Sequence, residues 1–404
     1  MIILDDLCLI DSETRRIKNA TCGDVTQVGG YRYNRQAFAT IWAWAQAENE
    51  VELAALDDGF DEFLTWELDA PDWLKRFYDR ADAGKAWFGA WNMAFDRQVW
   101  NSPQSDFPPL RPDMTIDVMA QAVASGLPAK LEHATKWLGV TEKHATGSHL
   151  IKLFEPPNGN TPQSRPNDWK AFKAYGKDDV VGMRDVFLTT RQLSWDDWEV
   201  YWANEEINDR GFGLDVEFCE AAAELVDFNL KHLNRRINEL SEGGIPRVTM
   251  AQRILEMSAL VLHDEFPEAR EALIEKHLVP HDDGTVKRPE KLSLARDKLE
   301  KVLALLDDLA KQTTLSGPLQ TIHELLTLRH YGGSATPGKF QKALDFAVEV
   351  GSAGPRLCGQ YVFNGAPQTG RMSSRGVQTH NLTRTHLGKK EERAIESIKE
   401  IVNG

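Results

Sequence analysis

Cysteine is scarce in this chain of 404 residues: Cys8, Cys22, Cys219 and Cys358 stand far apart, and no two are spaced as C-x-x-C. That excludes a disulfide framework and leaves reduced, mostly structural thiols of a cytosolic protein. No apolar run nears the ~20 residues that span a bilayer, so no membrane partner is expected. The opening MIILDDLCLIDSETRR has no basic stretch and meets acids at once, unlike a secretory signal. Basic residues are also outnumbered: 47 Lys and Arg against 61 Asp and Glu leave a net charge of -14. This excludes a uniformly basic surface for duplex binding. A local basic groove beside an acidic metal site stays open. Positive charge gathers late, with four arginines and no acid from Arg356 to Gly388.

What is present is enough to build cores. Hydrophobic residues make up 42% of the chain and charged ones 27%, and the length suits two or three domains. Up to about residue 195 strands and helices alternate. Leu7–Ile10, Phe38–Ala47, Val51–Leu56 and Ala86–Trp91 read as strands. Phe95–Trp100, Val118–Ser125, Leu131–Leu138 and Asp178–Leu193 read as helices. From Trp195 the periodicity is helical almost throughout, over Val216–Leu240, Leu292–Gln312, Leu319–Leu328 and Lys339–Val348. Near Leu357 it changes again, to a strand at Gly359–Phe363, a Gly- and Arg-rich loop, and a charged helix over Glu391–Val402. The expected divisions are residues 1–195, 196–355 and 356–404.

Three acidic segments stand at element ends. Asp11-Ser-Glu13 follows the first strand, where alternate residues share a face and both carboxylates can reach one ion. Asn92-Met-Ala-Phe95-Asp96 follows Ala86–Trp91, with Asn92 placed to cap a short helix carrying Asp96. Tyr175 and Asp179 are four apart and stack on one helical face, with Asp178 a rival about 100° away. Each segment alone reads as an ordinary surface acid. Together, Asp11, Glu13, Asp96 and Asp179 form a donor set for hard cations such as Mg²⁺ or Mn²⁺. Two such ions can clamp a phosphodiester during in-line attack by water, with Tyr175 orienting that water.

The trio resembles the three exonuclease motifs of the DEDD superfamily, and the tyrosine places it with the DEDDy branch of family A DNA polymerases. The resemblance implies a ribonuclease-H-like fold, a mixed sheet flanked by helices, for the first division. It implies 3′→5′ removal of nucleotides from DNA with two divalent ions. It also places Thr14 and Asn92 beside the 3′ end, and Val180 after Asp179 favours Asp179 over Asp178. Further on, Tyr361 to Ser374, with Thr369-Gly370-Arg371, resembles the family A segment that touches the primer–template duplex. Gly376 to Arg384 resembles the segment that follows it. Met372, His380 and Thr383 depart from the usual residues. The resemblance is to phage and prophage polymerases, in a phage-infected bacterium or a bacterial cytosol. The family's palm acids and fingers lysine lie further downstream, so no polymerase activity is expected of this chain alone. Two other readings remain: part of a split polymerase completed by a separate palm and fingers chain, or a catalytically silent DNA-binding piece.

Overall fold

The computed structural model describes residues 2–140, 147–276, 279–280, 286–288, 290–333, 337–366 and 369–381. The helix expected over 391–402, and Leu382 to Arg384 of the second polymerase-like segment, lie outside the described residues.

A five-stranded mixed sheet organises the first half. Its strands are β1 (Leu7–Arg16), β2 (Ala37–Gln46), β3 (Glu52–Ala55), β4 (Trp87–Ala90) and β5 (Thr115–Asp117), in the order β3-β2-β1-β4-β5. β1 and β2 are antiparallel over nearly their whole length, as are β2 and β3, while β4 and β5 run parallel to β1. β4 pairs with β1 only from Leu7 to Leu9. The strand therefore runs on past its parallel neighbour, carrying Asp11 to Glu13 beyond the paired region on that side.

Around the sheet lie α1 (Val25–Asn34), α2 (Trp66–Asp69), α3 (Asp72–Asp82), α4 (Met93–Trp100), α5 (Val118–Ala124), α6 (Leu131–Leu138), α7 (Gly147–Phe154), α8 (Pro166–Thr189) and α9 (Trp195–Arg210). Both faces of the sheet are covered. Cys8, Ile10, Trp42 and Trp44 pack with Phe77 of α3 and Trp100 of α4. Leu7, Leu9, Ala43 and Ala45 pack with Val180 and Met183 of α8 and with Trp198 of α9. Burial on both sides explains why β2 is apolar along its length rather than alternating. This is the mixed sheet flanked by helices that the motifs imply. One helix differs in extent: α8 starts at Pro166, twelve residues before the expected start at Asp178. Proline suits a first helical position, and Trp169 and Phe172 extend the buried stripe towards the N-terminus.

The described residues form two compact units, one of residues up to Val216 and from Lys342 to Asn381, the other of Glu217 to Gln341. The first break falls after α9 rather than before it. The second unit is built from α10 (Val216–Leu240), α11 (Ala251–Glu265), α12 (Pro267–Glu271), α13 (Arg296–Gln312) and α14 (Gly317–Gly332). Ile237, Ile254, Leu262, Val302, Leu306 and Ile322 form its core. It also carries short strands, β7 (Ile274–Lys276), β8 (Val279–Pro280), β9 (Val286–Arg288) and β10 (Lys291–Leu292), which pair as β7 with β10 and β8 with β9. After α15 (Gly338–Phe346), strands β11 (Val348–Glu349) and β12 (Pro355–Leu357) join β6 (Phe212–Gly213) in a small sheet. β13 (Tyr361–Ala366) and β14 (Arg371–Ser374) form a hairpin. Among the described residues no helix is long and apolar enough to cross a membrane.

Candidate active site

β1 sets the site. Leu7 and Leu9 face α8 and Cys8 and Ile10 face α4, so alternation turns Asp11 and Glu13 towards α8 and Ser12 towards α4. On α8 the buried stripe passes through Phe172, Tyr175, Gly176, Asp179 and Val180. Carboxylate oxygens of Asp11, Glu13 and Asp179 consequently lie within 4.8 Å of one another, with Glu13 and Asp179 buried. Asp178 is half-buried and outside this group. Gly176 lets the helix come close: a Cβ there would already lie 3.9 Å from Asp11 Oδ2.

The donor set fits a divalent ion. All three groups offer carboxylate oxygen, the ligand that Mg²⁺, Mn²⁺ and Ca²⁺ take. Oxygens on opposite sides of such an ion stand roughly 4–5 Å apart, twice the bond length, and the observed spacing falls within that span. Tyr175 borders the group. Burial first, and then the charges of Asp179, Glu13 and Asp11, push its hydroxyl pKa well up, and it hydrogen-bonds Asp179. Its ring packs with Ile41, Leu150, Phe154 and Phe172. A Cβ built on Gly147, at the start of α7, would run into that ring, 2.7 Å from the hydroxyl oxygen and closer to the ring carbons.

Asp96 is placed differently. Its Oδ1 accepts from the Ser12 backbone N–H at 3.0 Å and from the Ser12 hydroxyl at 2.6 Å. It therefore sits on the α4 side of β1, between Asp11 and Glu13 in register but outside their group. Burial raises its pKa to about 7 against the Ser12 hydrogen bonds, and the nearby Asp117 charge adds to the rise. Asn92 stands at the cap position of α4 in a left-handed conformation, but its side chain makes no capping bond. The expected side-chain cap is thus absent, and the backbone there is αL rather than the extended form that a capping residue takes. The Asn92 N–H instead donates to Asp117 Oδ1 at 3.1 Å. Thr14 follows an irregularity in the β1–β2 register, and its hydroxyl lies 3.3 Å from that of Tyr33. Arg371 is exposed at the start of β14.

Two supporting groups had no counterpart in the sequence reading. Asp117 caps α5, accepting from the N–H of Met119 and Ala120 besides Asn92. Burial lifts its pKa to about 7 despite those amides. An aspartate between a strand and a helix is a recognisable cap signal, but β5 is only three residues long. Arg97 is the other, buried behind Asp96 on α4. Its guanidinium grips Asp209 at 2.6 and 2.8 Å and Glu205 at 3.2 Å, both on α9. Burial disfavours its charge, but hydrogen bonds and attraction from Asp209 win and hold its pKa above the ordinary value.

No family model matches the chain. Over 279 residues the chain is 27% identical to the DNA polymerase of Bacillus phage SP02, an alignment covering 66% of this chain and 36% of the phage protein. The chain thus spans about a third of the length of the curated relative it matches. The POL domain of Pol1 from M. smegmatis, solved with DNA primer-template and dNTP, covers 87% of this chain with 51% of its own, at a TM-score of 0.44 and 11% identity. That likeness is too slight to argue from. Over 66% of its length, then, the chain is similar to a phage DNA polymerase, the class of protein its motifs resemble.

Proposed function

We propose that this chain is a metal-dependent 3′→5′ exodeoxyribonuclease, the proofreading part of a family A DNA polymerase. The convergence of Asp11, Glu13 and Asp179 beside the Tyr175 hydroxyl carries the reading. Two divalent ions, Mg²⁺ or Mn²⁺, would activate the attacking water and stabilise the leaving 3′ oxygen. Asp11, Glu13 and Asp179 would hold them, and Asp96 would join through Oδ2, since Oδ1 takes both bonds from Ser12. A tyrosine hydroxyl, with an ordinary pKa of about 10, stays protonated near neutral pH. The role of Tyr175 is therefore to orient water through the hydroxyl, not to remove a proton. Thr14 and Asn92 would border the terminal nucleotide, and Arg371 would meet duplex DNA.

A terminal base must leave its stack to reach carboxylates sunk between β1 and α8. Mismatched 3′ ends should therefore be trimmed faster than paired ones in Mn²⁺, with 5′-labelled primers shortening from the unlabelled end. Equal rates on both ends, or early release of the label as a mononucleotide, would sink the reading. The similarity to a phage polymerase favours a palm and fingers supplied by further sequence or a separate chain. Template-directed nucleotide addition by these 404 residues alone would refute that part.

A further inference from the structure

Ser12 stands on β1 between Asp11 and Glu13 but faces the other way, towards α4. β4 pairs with β1 only as far as Leu9, so the Ser12 N–H lies past the last β4 partner. α4 follows β4 after a short turn, and its Asp96 answers that N–H in place of a strand. The Ser12 hydroxyl donates to the same oxygen, Oδ1, and at 2.6 Å it makes the shorter of the two bonds. That length is typical of a hydroxyl bonded to an ionised carboxylate. Both residues are buried, so water competes little for either bond. The pair also ties α4 to the strand that carries Asp11 and Glu13, and the fourth carboxylate keeps its place relative to them.

Each carboxylate oxygen has a pair of lone-pair sites, and Ser12 engages both on Oδ1. Only Oδ2 is left to meet an ion. Ca²⁺ tolerates irregular geometry and takes carboxylates through one oxygen or both, whereas Mg²⁺ demands near-ideal octahedral geometry. Gripping an ion through both oxygens of one carboxylate narrows the angle between ligands, which suits Ca²⁺ and strains an octahedron. Groups that hold a ligand without touching the ion are worth ~10- to 100-fold in metal affinity. We infer that Ser12 is a positioning residue that makes Asp96 a one-oxygen ligand, and so biases the acidic group towards Mg²⁺ and Mn²⁺ and against Ca²⁺. The inference rests on the proposed nuclease reading, which brings Asp96 to the ions.

The test reads ion binding, without DNA. Free Mn²⁺ is followed by electron paramagnetic resonance as it is titrated into the full chain, and bound Mn²⁺ is then displaced with Mg²⁺ or Ca²⁺. Wild type is compared with three variants. Ser12→Ala removes the hydroxyl, Ser12→Cys keeps the size but donates weakly, and Ser12→Thr keeps the hydroxyl and suits a strand. We expect Ser12→Ala and Ser12→Cys to bind Mn²⁺ ~10-fold more weakly and to need ~10-fold less Ca²⁺, relative to Mg²⁺, for half-displacement. Ser12→Thr should bring both readings back to near wild type. Melting temperatures in EDTA check folding, and if Ser12→Ala does not fold, Ser12→Cys decides. Unchanged affinity and ratio in the folded variants would overturn the inference, as would the same change in Ser12→Thr. So would an equal loss for Mg²⁺ and Ca²⁺ at a constant ratio, which a merely structural serine would give, or a wild type that took up no Mn²⁺. If wild type bound Mn²⁺ but trimmed no primer, the nuclease reading would fall, while ion binding would still judge Ser12.

Discussion

Replacing Gly147 by alanine adds one methyl group where the ring of Tyr175 already is. The new carbon would stand 2.7 Å from the hydroxyl oxygen and nearer still to the ring carbons. Carbon contacts settle at about 3.5–4.0 Å, so the ring has to retreat by more than ~1 Å. It cannot retreat freely, because Ile41, Phe154 and Phe172 pack around it. Overpacking of this kind costs roughly 1–3 kcal/mol of stability. The larger effect is on rate, since a ~1 Å misplacement of an orienting group can cost ~10²-fold. We therefore expect Gly147→Ala to cut single-turnover trimming of a mismatched primer by 10- to 100-fold while the thermal shift given by Mn²⁺ is retained, because no ligand is touched. The double variant with Tyr175→Phe should be little slower than Tyr175→Phe alone, since both act through one hydroxyl. If Gly147→Ala trimmed at the wild-type rate while Tyr175→Phe was slow, the hydroxyl would not be positioned by this contact.

Asp11→Ala should reduce trimming to background. Tyr175→Phe should lose part of the ~10²–10⁴-fold that orienting and acid–base groups supply, and Asp178→Ala should be near neutral. A dead Asp178→Ala beside an active Asp179→Ala would move the third motif by one residue. Millimolar Mn²⁺ should raise the melting temperature of wild type but not of Glu13→Gln, because ligand binding to the folded state adds stability by mass action; an equal shift in both would argue against the site. Asp117 has a folded pKa of about 7, above its unfolded value. Its contribution to stability is therefore full below about pH 4 and lost as pH rises through about 7. Asp117→Asn keeps an oxygen for the three amides, so it should flatten the fall in melting temperature over that window and gain on wild type at pH 8. An unchanged pH profile would refute the assignment.

Local pattern carried much of this structure. β1, β2 and the Asp-x-Glu pair were legible because strand alternation is a property of adjacent residues, and Tyr175 with Asp179 because helical spacing is equally local. Asp96 was legible as an acid near a strand but not in its direction. That depends on Ser12 offering an amide and a hydroxyl on the α4 face, which only the packed sheet decides. The start of α8 was missed because Gly176 and a polar run break the apolar stripe that Trp169 and Phe172 begin. β7 to β10 are two or three residues each, too short to show a period. The cavity lined by Gly29, Asn92, Phe95, Phe346 and Gly376 joins residues more than 300 positions apart, beyond any reading of sequence windows.

Arg97 has a practical consequence for dissecting this protein. Its charge is almost wholly removed from water, and the carboxylates that answer it, Glu205 and Asp209, lie past residue 195. Asn208, one residue before Asp209, in turn bonds both the N–H and the carbonyl of Tyr361. A fragment trimmed at the end of α8 would keep every acidic ligand but strip Arg97 of both counter-charges and of the helix that carries them, and it should be less stable than the intact unit. The compact unit that holds these pairs is discontinuous, running to Val216 and resuming at Lys342. A short flexible bridge across that gap, in place of α10 to α14, should give a smaller soluble protein where a simple truncation would precipitate.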